Sequence, residues 1–405
     1  MNGLYLHIPF CQKKCVYCDF YSLETTHIID AFVDTLLAEI ALRADFVSPG
    51  ARAFDTVFFG GGTPSLLSSK QMERIIGSLR ATFPIAADAE WTMECNPGTV
   101  SEESLRAYRA LGVNRLSFGV QSFFEDDLRF LSRIHSNSEA KEAVRLSRKA
   151  GFDNVNIDLM FALPDQSFER WRRNLEIAVS LGTDHISAYS LIFEPGTPLK
   201  SMLDRGEVRR QDEERDAAMY EWAMEFLHAR GYEQYEVSNY ARDGKVCRHN
   251  CLYWQGDEYL AFGPSAHGYI ANNGEKERYW NIRSLAGYTR QIAKGALPIA
   301  NSEILSAQEQ MFERAFLELR ARGIRKREFF HDFGVPIDEA FEELTARYSE
   351  EFLRNSEERF ALSSKGYLVC DTITLEAIAA LERFCGVQWR QADFAEEVEL
   401  RSEPK

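Results

Sequence analysis

The residues best equipped for chemistry stand close to the start of the chain. Cys11, Cys15 and Cys18 form a C-x3-C-x2-C pattern that one short loop could wrap around one metal centre. Three thiolates can ligate three irons of a [4Fe-4S] cubane and leave the fourth without a protein ligand, an open position where a small molecule can bind. The competing readings are a zinc site completed by His7 or His27, and three unrelated buried thiols. A run of glycines, Gly60-Gly61-Gly62, precedes Thr63-Pro64. Glycines let backbone approach closely because no Cβ intervenes, although a plain strand-to-helix turn would use them equally well.

Something regular must hold these groups. Through the first half, short β-branched or aromatic runs alternate with amphipathic stretches, the pattern of βα units around a parallel sheet. Six strands are expected at 4–9, 56–60, 91–96, 115–121, 154–161 and 185–193, with helices near 28–43, 69–82, 101–111, 138–150 and 167–181. Several of these helices have serine where an N-cap belongs, and Glu102 and Glu103 suit the positive end of a helix dipole. The residues of interest sit where a strand meets its following loop: Cys11 after the first, the glycines after the second, Glu94-Cys95-Asn96-Pro97 at the third and Gln121 at the fourth. Asp158 lies within the fifth strand and Glu194 after the sixth. That is the catalytic rim of a parallel barrel. The expected fold is therefore α/β: a partial (β/α)6 TIM-like barrel over 1–200, an α+β extension over 201–300, and a small, mainly helical, winged-helix-like C-terminal domain over 301–405.

The totals narrow the function. At 405 residues, with 45% hydrophobic and 27% charged residues, the chain has the composition of a globular protein of two or three domains. A net charge of −15 argues against nucleic acid as a partner. The first ten residues lack a secretory pattern and no run approaches the roughly 18 apolar residues of a spanning helix, so a cytoplasmic protein is expected. Eight cysteines are too sparse for a disulfide scaffold in a chain of this length.

CxxxCxYC directly after a first strand resembles the signature of the radical S-adenosylmethionine (SAM) superfamily. The resemblance implies a [4Fe-4S] cluster on Cys11, Cys15 and Cys18, SAM on its open iron, and Tyr17 against the adenine. It also makes Gly61, Gly62 and Thr63 a GGE-type motif for the methionine amino group, and places Tyr5, Glu94, Gln121, Arg133 and Asp158 among the polar groups around SAM. Longer phrases, FFGGGTPSLL, ECNPGT, GVNRLSFGVQSF, NIDLMFALP, HISAYSLIFEPGTPL and CRHNCLYW, resemble the oxygen-independent coproporphyrinogen III oxidase-like group. The oxidase carries a further cysteine two residues after the third, where this chain has Phe20, and a substantial extension before the cluster, where only ten residues precede Cys11.

His249, Asn250, Tyr253 and Trp254 instead match the HNxxYW motif of the group's heme-chaperone branch, where it is associated with heme. A neutral imidazole can ligate heme iron and aromatic rings can face a porphyrin. If the segment is helical, His249 and Tyr253 share one face and Asn250 and Trp254 the adjacent one. The plainer alternative is a buried helix with His249 satisfying backbone groups, and Cys247 and Cys251 read as incidental thiols. The resemblance implies heme as cargo, acceptor apoproteins such as membrane respiratory enzymes, an electron donor for the cluster and a homodimer. Anaerobic decarboxylation of coproporphyrinogen III is the alternative activity, and another radical SAM enzyme such as a methyltransferase is a third.

Overall fold

The structure is a computed structural model that describes residues 2–44, 52–272 and 275–388. Its centre is a parallel sheet built from β1 (Asn2–Ile8), β2 (Phe54–Gly61), β3 (Ile85–Cys95), β4 (Arg115–Gln121), β5 (Val155–Phe161) and β6 (His185–Ser190). These six pair in sequence order, each parallel to the next, as the alternating pattern predicts. The strands read as near-continuous apolar runs because both faces are covered: Leu4, Leu6, Val57, Phe59, Met93, Leu116, Phe118, Ile157 and Ile186 are all buried in one core with the helices outside.

The extension completes the sheet on both flanks. A short hairpin, β7 (Glu233–Gln234) and β8 (Asn239–Ala241), lies antiparallel on β6. On the other side β9 (Glu258–Phe262) pairs parallel to β1, followed by antiparallel β10 (His267–Asn272), β11 (Glu275–Asn281) and β12 (Ile299–Leu305). The parallel run thus has a seventh strand that alternation did not reveal, because β9 pairs across more than 250 positions of chain and has no helix of its own pattern after it. The aromatic run 235–240 supplies the turn and most of the second strand of the β7–β8 hairpin. The charged stretch 200–230 divides into helices Pro198–Asp204 and Glu213–His228.

The sheet is curled but open. Arg133, beyond β4, donates to the Cys15 Sγ beyond β1 at 3.3 Å, and the Leu199 N–H, beyond β6, bonds the Val16 carbonyl at 2.9 Å. The C-terminal strand ends therefore face a common space, while the edges β7 and β12 do not pair with each other. Serine caps start the outer helices: Ser68, Ser101 and Ser136 each close a capping box and Ser167 caps the fourth. A buried network pins the extension to the barrel. Arg43 bonds Glu39 at 3.1 Å and Asn281 at 2.9 Å, while Glu39 also accepts from Tyr288, Gly263 N–H and Asn281. Both charged side chains are fully buried, so removing either would leave a charge without its partner in the interior.

The C-terminal part has its own core, including Met311, Phe312, Phe329, Phe341, Phe360, Ile373 and Leu381. Helices surround a three-stranded antiparallel ladder of β13 (Ile324–Arg325), β15 (Arg359–Leu362) and β14 (Leu353–Asn355). The largely apolar run 360–369 (FALSSKGYLV) is strand only to Leu362 and breaks at Ser363, whose hydroxyl caps a short helix Ser364–Leu368 by accepting from Gly366 N–H at 3.1 Å. Capping chemistry there overrides the apolar pattern.

Candidate functional site

The cysteine loop leaves the sheet at Pro9 and returns at Leu23. Leu23 N–H bonds the Pro9 carbonyl at 2.8 Å and Cys11 N–H bonds the Leu23 carbonyl at 3.0 Å, so the loop is tied at its base. Within it, Cys18 N–H bonds the Cys15 carbonyl at 3.2 Å. All three cysteines are part-exposed, whereas Cys95, Cys247, Cys251 and Cys370 are buried. Burial still pushes the Cys18 thiol up to about 11, so binding iron means displacing its proton.

Neighbouring elements close on the same loop. The Thr63 hydroxyl lies 3.5 Å from Cys11 Sγ. Gly62 N–H bonds Ile8 O at 2.9 Å and Thr63 N–H bonds Phe10 O at 2.7 Å. A Cβ on Gly62 would lie 2.6 Å from Phe10 O, and Gly61, at φ +101°, has the His7 ring in the same place. The glycines are thus required for β2 to lie flush against the loop, a need that exists before any ligand binds. Arg133 reaches Cys15 Sγ with one nitrogen and the Gly119 carbonyl with another at 2.5 Å, and Tyr17 packs against it.

Farther in, Glu94 accepts from Gly61 N–H at 3.2 Å. Its side chain is half-buried, and burial first and the charge of Asp158 second raise its pKa to about 8. Asp158 is raised as well, by burial, while Asn156 donates to it at 2.7 Å and the Ser117 hydroxyl approaches within 3.4 Å. Gln121 ends β4 at φ +68°, beside a register shift between Gly119 and Gln121. Among the described residues, three of the six non-glycine residues with positive φ (Gln121, Ala162 and Asp165) lie at or just beyond the ends of β4 and β5, and a fourth, Ser132, closes the helix Glu125–Phe130 that follows β4. Such strain persists only where surrounding structure holds it, and it concentrates at functional sites.

Cys11, Cys15, Cys18, Tyr17, Gly61, Gly62, Thr63, Glu94, Gln121, Arg133 and Asp158 are therefore gathered on one rim. The donor set fits the groups that sequence suggested. Among the described residues no three His, Cys, Asp or Glu side chains surround one point closely enough for a single ion; a cubane instead takes one thiolate at each of three separate irons. The buried Arg133 Nε has no partner beside these thiols, a donor placed for an anionic group, and Glu94 with Asp158 offers carboxyls to a cationic one. SAM carries a carboxylate, an ammonium and a sulfonium.

Tyr5 and the downstream motif lie deeper. The segment is helical, Arg248–Gln255, and sits under the N-terminal ends of the strands, at the barrel floor. Its first turn is seated on Glu90, which accepts from Arg248 N–H at 3.0 Å and His249 N–H at 3.1 Å. His249 is fully buried, with Nδ1 2.7 Å from the Thr56 hydroxyl and Nε2 2.9 Å from the Tyr253 hydroxyl. Burial, and then the Arg115 charge, hold its pKa down to about 3, so the ring is neutral. Tyr5 bridges the levels: its ring stacks with those of Phe58 and His249, and its hydroxyl is 3.3 Å from His7 Nδ1. Trp254 faces the other way, toward Glu318, Arg322 and Arg325 of the C-terminal part.

The floor also contains residues that sequence reading missed. His185 bonds Asn156 at 2.6 Å and the Tyr235 hydroxyl at 2.8 Å, and that hydroxyl accepts from Cys247 N–H at 3.2 Å. Arg115 lies fully enclosed near Cys247, Glu90 and Tyr235. The available signal was polar residues of one parity inside apolar strands, Asn156 with Asp158 and Glu90 with Thr92.

The comparisons agree with this architecture. Residues 5–182 match the model of the radical SAM superfamily and 305–369 that of the HemN C-terminal domain. A Bacillus subtilis protein named heme chaperone HemW is 34% identical over 91% of this chain and 97% of its own length. The Escherichia coli protein of the same name is 44% identical over 66% of this chain and 70% of its own. Among solved structures, coproporphyrinogen III oxidase (HemN) from Escherichia coli superposes with a TM-score of 0.78 at 23% identity, covering 93% of this chain and 89% of that one. At that identity the likeness speaks for the fold alone.

Proposed function

The chain belongs to the heme chaperone HemW family within the radical SAM superfamily, and on that premise we propose that it binds heme and delivers it to acceptor proteins. The observation that carries this reading is the match to HemW proteins over nearly the whole of both chains. Phe20, 61% exposed at the cysteine loop, stands where the oxidase would have a further cysteine, and this favours delivery over decarboxylation.

In this reading Cys11, Cys15 and Cys18 hold the [4Fe-4S] cluster. Tyr17, Gly61, Gly62, Thr63, Glu94, Gln121, Arg133, Asp158 and Tyr5 surround SAM. When bound, the pair supplies one-electron chemistry at an open iron. The chain's own contributions are these: Arg133 places positive charge against the Cys15 thiolate, Glu94 and Asp158 present carboxyls whose charge is set by burial, and the glycine turn keeps β2 against the cluster loop. The acceptors are heme apoproteins such as membrane respiratory enzymes, the cluster takes its electron from a separate donor, and two copies pair. No helix among the described residues is long and apolar enough to cross a membrane, so such acceptors would be met at a membrane surface; with all eight cysteines free, a reducing cytoplasm suits the chain.

The test is an anaerobic heme titration of the iron-reconstituted protein beside a coproporphyrinogen III assay with SAM and reductant. Stoichiometric heme uptake, transfer to an apo-respiratory protein and no decarboxylated product are expected. Protoporphyrinogen formation without heme uptake would replace delivery by catalysis.

A further inference from the structure

We propose that the HNxxYW helix is a strut between the SAM end of the barrel and the C-terminal part, in which His249 is a positioning residue for Tyr5 and not an axial ligand to heme iron. An axial imidazole must keep one nitrogen lone pair free and let a wide porphyrin reach it. His249 meets neither condition. Both its ring nitrogens are bonded, at 2.7 Å to Thr56 and 2.9 Å to Tyr253. Its ring lies 5.0 Å from that of Phe58 at 23° and 6.4 Å from that of Tyr5 at 24°. Even a methyl group would not fit between this helix and β1, since a Cβ on Gly3 would fall 2.4 Å from Leu252 Cδ1 and 2.9 Å from His249 Cε1.

The same contacts give the histidine a task. From His249 the stack runs to Tyr5, whose ring borders Gly60. A Cβ built there would lie 3.1 Å from the Tyr5 ring and 3.2 Å from Glu94 Oε2, so the ring and the carboxylate flank one narrow space. A shift of the imidazole therefore moves the support under Tyr5, Gly60 and Glu94. On the opposite side Trp254 and Cys251 line a narrow cleft closed by Glu318, Ala321, Arg322 and Arg325, and the Arg322 guanidinium stands over the Tyr235 ring. One eight-residue helix thus touches both units. Packed interiors transmit such displacements because they have no slack.

This inference rests on the reading that Tyr5 and Glu94 face SAM, and its test separates the two. Reconstituted full-length His249→Phe, Thr56→Val and Tyr253→Phe would each be titrated anaerobically with SAM by calorimetry, with the reduced cluster's paramagnetic resonance recorded before and after SAM, and with heme by its Soret band. Phenylalanine keeps the ring and removes both bonds; Thr56→Val removes one bond from a residue that cannot ligate iron. Roughly three- to tenfold weaker SAM binding is expected in each, largest for His249→Phe, with heme affinity and Soret position unchanged. Loss or displacement of the Soret band in His249→Phe overturns the proposal. So does unaltered SAM affinity in Thr56→Val, which decides the matter even if His249→Phe fails to fold. Wild-type protein that takes up no heme would instead sink the delivery reading and leave the SAM comparison legible.

Discussion

The two ends of the barrel use the same side chains to opposite effect. At the rim, cysteines are part-exposed, backbone is strained at Gln121 and Ala162, Arg133 has a nitrogen without a partner, and Glu94 titrates near 8. At the floor, His249, His185, Cys247 and Glu90 are buried with their bonds taken: Tyr235 joins His185 to Cys247, Glu90 accepts from His249 N–H, and Thr56 and Tyr253 hold the His249 ring. A histidine or cysteine is available for chemistry only if its bonding capacity is not already spent. Residue type nominates a site, and the satisfaction of its hydrogen bonds decides it.

The cysteines should separate the two ends most strongly. Cys15→Ala at the rim should abolish the visible cluster absorbance and leave fewer than four irons per chain, with the circular dichroism of the fold retained; a full complement of iron would remove the cluster assignment. Cys247→Ala at the floor should keep the cluster and lose only stability.

A floor lesion should unfold what a rim lesion spares. Glu90→Ala removes the acceptor of two helix N–H groups and one of the carboxylates near the enclosed Arg115, so urea unfolding should show about 2–4 kcal/mol less stability. Glu94→Gln at the rim, similar in size to its parent, should change unfolding far less at neutral pH. Equal losses in both would erase the distinction between the two ends.

Arg133→Met tests whether the rim tunes the cluster. Without its hydrogen bond and charge at Cys15 Sγ, the reduced cluster loses a stabilising partner, and its midpoint potential should fall by tens of millivolts in a redox titration. An unchanged potential would make Arg133 a strut for Gly119 alone.

The smallest expected effect is in pH dependence. Glu94 has a raised pKa in the folded chain, so between the ordinary glutamate range and about pH 8 the native state holds a proton that the unfolded state has lost. Stability of the SAM-free protein should therefore fall as pH rises through that window, by on the order of 1–2 kcal/mol because Glu94 is only half-buried, and level off above it. Glu94→Gln should flatten that portion of the curve.

Some of this was legible early. The six βα repeats, Ser101 at a helix start, and Cys11, Glu94 and Gln121 at strand ends all follow from local pattern, because strand period and capping act within a few residues. The parallel pairing of β9 with β1 was not legible, nor was the break at Ser363, where one hydroxyl outweighed an apolar run. The bulge that puts Gln121 at positive φ leaves no mark in residue type.

Residue order alone specifies an inventory: three cysteines in one loop, glycines after the second strand, acids and an amide at the strand ends, and an HNxxYW run. Tertiary structure alone decided which of these face a shared cavity and which are sealed. Curling the sheet brought Arg133, beyond β4, to Cys15, beyond β1, past the two strands between them, while closing the floor bonded both nitrogens of His249. The physical reason is that availability depends on who occupies a group's hydrogen bonds and how much water reaches it, and both are set by neighbours far away in the chain.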